Sequence, residues 1–180
     1  MVVKITKEDE QLLEEYSQAA SKNSDKLVYV NAVTISLIPI WLFWRILKMP
    51  LISNSFLYIT VSVATAFLMS LAYKNSKSPL MERIAVRRTE AITKQVNSQA
   101  GKDKSMSRKS REDAIRELTK KVADHESTTF SIFYNNCLFM LILLLLSAVL
   151  HHFSNAVNYS VSMLIAAGAA AFLSSGKGSF

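Results

Sequence analysis

The densest chemistry in this sequence is a knot of positive charge. The stretch GKDKSMSRKSR at 101–111 carries Lys102, Lys104, Arg108, Lys109 and Arg111 against a single anion, Asp103. Cations interleaved with Ser and Met, with no aromatic ring on which a base could stack, suit a polyanion held through its phosphates. Such a surface grips a folded nucleic-acid backbone without reading its bases. It equally suits anionic lipid, at about 1 kcal/mol per cation close to the membrane surface. Both readings stand on these residues alone.

Nothing comparable points to catalysis. His151 and His152 are adjacent and on a helix are expected to point in different directions, with no Cys, Asp or Glu nearby to complete a metal site. Their expected place is at the end of a membrane span. Asp and Glu in the middle of the chain alternate with Lys and Arg, as on a solvated, ion-paired helix surface. The chain has no Gly-rich phosphate loop, no nucleophile elbow and no HExxH. No catalytic residue, metal ligand or cofactor is therefore expected. Cys137, the one cysteine, excludes an internal disulfide and is expected to be a small buried apolar side chain.

The elements that must carry the basic knot are set by hydropathy. Of the 180 residues, 50% are hydrophobic, and they gather in blocks at about 27–49, 51–73, 129–150 and 156–175. Each block is long enough for a helix to cross the hydrocarbon, which takes roughly 20 apolar residues. The expected fold is an all-α membrane protein: four transmembrane helices in two hairpins, 27–73 and 129–175. A hydrophilic segment, 74–128, lies between them. The first block begins too far into the chain, after an acidic stretch (Glu8, Asp9, Glu10, Glu14, Glu15), to read as a cleaved signal peptide.

Charge sets the expected orientation. Residues 74–128 hold 14 Lys and Arg against 8 Asp and Glu, a net of +6, whereas the first link carries only Arg45 and Lys48 and the second, 151–155, no Lys or Arg. Positive span ends stay cytosolic, which puts the central segment, both termini and the 176–180 tail in the cytosol. Residues 1–26 read as a cytosolic segment with a short amphipathic helix, Thr6 as N-cap and Leu12, Leu13, Tyr16 and Ala19 on its apolar side.

Within 74–128, Met81, Ile84, Arg88, Ala91 and Gln95 share a helical face with Ile92 and Val96 beside it. Ile115, Leu118, Val122 and Ala123 form a second stripe. Ser107 and Ser110 (with Asp113) are rival N-caps. Two antiparallel helices joined at Gly101 would lift the basic knot roughly 30 Å from the lipid; the rival reading is a mobile charged loop. Elsewhere Pro39 is expected to kink the first span. Trp41, Trp44, Arg45 and Lys48 form an expected interfacial anchor. Ser162, Ala166 and Ala170, spaced by four around Gly168, are expected to pack against another span or another subunit. The Asn158-Tyr159-Ser160 sequon sits at a span start and is expected to be unglycosylated.

Several phrases carry a family resemblance: IPIWLFWRI (38–46), AYKN (72–75), MSRK (106–109), TTFSIFYNN (128–136) and VNY (157–159). In this order they resemble the gamma subunit of the translocon-associated protein complex, the signal sequence receptor gamma family. The resemblance implies a non-catalytic subunit in the endoplasmic reticulum membrane. It further implies assembly with alpha, beta and delta subunits beside the Sec protein-conducting channel, and help in the translocation of nascent chains. It also implies that the cytosolic domain touches the large ribosomal subunit, through rRNA and a ribosomal protein. On the MSRK match, Arg108 and Lys109 would make that contact; Lys102, Lys104 and Arg111 join them by proximity and charge. Two readings of other classes remain: a small transporter or channel, and a surface protein whose tip binds anionic lipid of the membrane. The four spans contain no carboxylate, which disfavours ion-coupled transport.

Overall fold

A computed structural model describes the backbone of residues 7–100 and 108–175 and the side chains from Ser24 on, apart from those at 95, 99 and 100. All regular structure among them is helical: α1 (Lys7–Arg45), α2 (Ser55–Ala100), α3 (Arg108–Val149) and α4 (Asn155–Ser175), with a short 3-10 turn, Leu150–His152, before α4. Each of the four holds a stretch long and apolar enough to cross a membrane. Inside hydrocarbon every backbone N–H and C=O must be paired within its own segment, and an apolar run satisfies this as a helix.

The boundaries expected between spans and polar segments do not break the backbone. α1 is a single 39-residue helix, so the expected N-terminal helix continues directly into the first span. α2 and α3, of 46 and 42 residues, likewise run from apolar into charged sequence without interruption. At 1.5 Å per residue, α2 extends about 40 Å beyond Tyr73 and α3 about 30 Å before Thr129. α2 and α3 form the most extensive helix pair in the molecule. Two prolines are absorbed. α1 runs on through Pro39 and α2 through Pro79, which the sequence reading did not single out.

The link after α1 is built by its own hydrogen bonds. Lys48 takes a left-handed backbone (φ 53°), and the Met49 N–H turns back to donate to Phe43 O at 3.0 Å. Pro50 follows and prevents helix from resuming. Residues 51–54, expected to open the second span, form a turn instead, and α2 starts at Ser55.

The core joins all four helices. Val28, Ala32 and Phe43 of α1, Met69, Ala72 and Tyr73 of α2, Phe139 and Leu143 of α3, and Tyr159, Met163, Ala166 and Ala170 of α4 are all buried in it. Small side chains on α4 let backbones approach closely where lipid supplies no hydrophobic drive to association. Tyr159 sits edge-on to Phe43 and Tyr58, with ring centroids 5.0 and 4.9 Å away.

Candidate functional site

Two features stand out: a polar layer across one end of the bundle, and the charged extension of α2 and α3 beyond it. The layer has two tiers, the outer one built from α1, α2 and α3 and the deeper one also from α4. Lys77 Nζ of α2 lies 2.8 Å from Asp124 Oδ1 of α3 and donates to Ser24 Oγ of α1 at 2.9 Å. Ser24 in turn bonds Thr128 at 2.7 Å. One step deeper, Asn31 Nδ2 donates to Tyr73 OH at 2.9 Å and to Asn136 Oδ1 at 3.3 Å, and Tyr73 OH donates to the same Asn136 oxygen. Fully buried Asn135 donates to Ser76 Oγ (3.0 Å) and Ser131 O (2.9 Å) and accepts from Ser174 Oγ of α4 (2.6 Å). The start of α4 is tied at the opposite end, where Asn155 Nδ2 donates to Leu47 O at 2.7 Å.

Because α1, α2 and α3 all continue past the polar layer, their charged portions emerge from the same end of the bundle. On the α2–α3 extension, Ile92 and Val96 are buried, as are Thr119 and Ala123. The buried line on α2 therefore follows the pair placed beside the expected stripe, of which Met81 and Ile84 are half-buried and Arg88 and Ala91 exposed. Leu118, expected within the second stripe, is 39% exposed. Arg88 instead forms a two-pronged ion pair with Glu126, at 2.8 and 3.2 Å, which crosses from α2 to α3 and fixes their register.

Of the five cations expected to bind a polyanion, Lys102 and Lys104 lie outside the described residues, as does Ser107. Arg108 opens α3, is 94% exposed and lies 3.4 Å from Glu112 one turn on; Lys109 is exposed and Arg111 half-buried. Ser110 and Asp113 fall inside the helix, so they do not cap it. Arg87 and Arg116, missed in the sequence, are exposed cations without an ion-pair partner among the described residues. Arg87 stands directly beside the paired Arg88, and Arg116 beside Glu117, so only the helix register distinguishes them from paired cations.

Trp41, Trp44, Arg45 and Lys48 are all exposed at the link end of α1. Ser162, Ala166 and Ala170 are fully buried against other helices of this chain. Gly168 is not brought to that face: two residues from Ala166 is about 200° around the helix, and a side chain there would meet open space. Asn158 is fully buried, its Nδ2 donating to Ser147 O and its Oδ1 accepting from Ser162. The two histidines do not point apart. The 3-10 turn brings their ring centroids to 3.7 Å. Cys137 is exposed, not buried. Among the described residues no cluster of three His, Cys, Asp or Glu side chains is placed to hold a metal ion.

A sequence model of the gamma subunit of the translocon-associated protein matches residues 8–176. The chain belongs to that family. The match takes in all four membrane-crossing helices and the extension alike. A relative from Dictyostelium discoideum, a translocon-associated protein subunit gamma, is 28% identical over 153 residues, covering 83% of this chain and 85% of the relative. Family membership and the four apolar helices make the chain a multi-pass protein of the endoplasmic reticulum membrane.

Proposed function

We propose that this chain is a non-catalytic subunit of a translocon-associated complex and meets the translating ribosome through its α2–α3 extension on the cytosolic side. The observation that carries this reading is the continuity of α2 and α3. A charge-rich pair of helices stands about 25–35 Å beyond the polar layer, within a segment of net charge +6. Positive charge at that end of the bundle supports a cytosolic orientation for the extension and both termini. The most abundant folded polyanion at that height above this membrane is rRNA.

Lys102, Lys104, Arg108, Lys109 and Arg111 near the tip, with Arg87 and Arg116 along the shaft, make the phosphate contacts in this reading. A ribosomal protein of the large subunit completes the footprint. Within the membrane the partners are the alpha, beta and delta subunits and the Sec channel, with Trp41, Trp44, Arg45 and Lys48 anchoring the far interface in lipid. Ser162, Ala166 and Ala170 serve the internal packing of the bundle, and Gly168 is left for a sibling subunit.

Co-sedimentation with ribosomes tests the proposal. Wild-type binding is expected to fall steeply with salt, because each phosphate neutralised releases counterions. Alanine at Lys102, Lys104, Arg108, Lys109 and Arg111 should remove most of it at every salt concentration. Ribosome binding unchanged in that variant, with vesicle binding lost, would transfer the tip to lipid.

A further inference from the structure

Between α1 and α3, with the polar layer as part of its wall, runs an open groove of about 590 Å³. Its lining changes character along α3. Charged Glu117, Lys120, Lys121 and Asp124 lie at the outer end, Thr128 and Thr129 in the middle, and Ile132, Phe133 and Cys137 at the inner end beside Asn136, with Leu27 and Asn31 of α1 opposite. From Glu117 to Cys137 the groove follows about 30 Å of helix. One leaflet of a bilayer, headgroup included, is about 20 Å thick. Charge at the outer end, hydroxyls in the middle and a mainly apolar inner end follow the order met on passing down a phospholipid.

Charge and size select the occupant. Lys121 is paired with Glu117 and Asp124 with Lys77, which leaves Lys120 as the groove's cation without an ion-pair partner among the described residues. A transmembrane helix over the same length fills about 2,400 Å³ as a cylinder of 5 Å radius, several times the space present. An acyl chain is slender enough to enter.

We propose that this groove holds one glycerophospholipid of the adjoining leaflet, its phosphate beside Lys120 and an acyl chain between Leu27, Ile132 and Phe133. The site is independent of the ribosome contact.

The test uses the full-length chain in phosphatidylcholine nanodiscs containing phosphatidylcholine with a photoactivatable acyl chain. The exposed apolar face of α2 (Phe56, Val63, Phe67) serves as the reference for ordinary lipid contact. Labelling per exposed residue should be several-fold higher at Ile132, Phe133 and Cys137 than on that face. Lys120→Ala should lower the groove signal about fivefold, the equivalent of about 1 kcal/mol, and leave the α2 signal unchanged. Because Lys120 is exposed, the variant keeps its fold, and the α2 signal checks this. Equal labelling of groove and α2 face overturns the proposal, as does a groove signal indifferent to Lys120→Ala. So does a crosslink in native membranes from Cys137 to another polypeptide in place of lipid.

Discussion

Asn135 and Thr65 are both fully buried, yet they contribute in opposite directions. Asn135 ties α3 to α2 and α4 through two interhelical hydrogen bonds, whereas the Thr65 hydroxyl has no partner among the described residues. Interhelical hydrogen bonds in membranes are worth about 1 kcal/mol each, and an unpaired buried hydroxyl costs a similar amount. Asn135→Leu should therefore lower the melting temperature in mild detergent, and Thr65→Val, which keeps the shape, should raise or preserve it. Equal effects of the two would mean that the polar layer adds nothing to stability. At this scale the sequence was least informative. Asn31, the Tyr73–Lys77 turn and the Asn135-Asn136 pair come from three distant parts of the chain, and no local spacing announces that they meet. His151 and His152 were misplaced because an α-helical register was assumed where the backbone tightens to a 3-10 turn.

At the scale of elements, hydropathy was an adequate guide to the number and type of helices, because an apolar run of this length in lipid has no other way to pair its backbone. It could not show where the helices end. Expected boundaries at 26, 73 and 128 follow changes of solvent, but a helix crosses from lipid to water unchanged if both parts are helix-compatible, as α1, α2 and α3 are. The seam of the extension was half legible. The hydrophobic stripe was narrow enough that a rotation of one residue separated Ala91 from Ile92, and packing against α3 decided for Ile92. Ile92→Asp should open this seam by burying a charge without a partner. Limited proteolysis should then cut within 74–128 many times faster, with the membrane-embedded fragments unchanged; unaltered cleavage would show that the seam does not hold the pair together.

For the whole molecule, the central expectation is sidedness. On a Cys137→Ser background, cysteine placed at Lys109 should react with an impermeant maleimide added to intact microsomes, and cysteine placed at Ser154 should react only after permeabilisation. The reverse pattern would invert the protein and remove the ribosome from its partners. Uninterrupted α2 and α3 also have a mechanical corollary. With helix unbroken between shaft and bundle, the pair behaves as a lever whose fulcrum lies at the Lys77–Asp124 ion pair. A tilt of about 10° within the bilayer swings the far end of an arm of about 35 Å by about 6 Å, so a particle seated on that end and the lipid around the spans register each other's displacement.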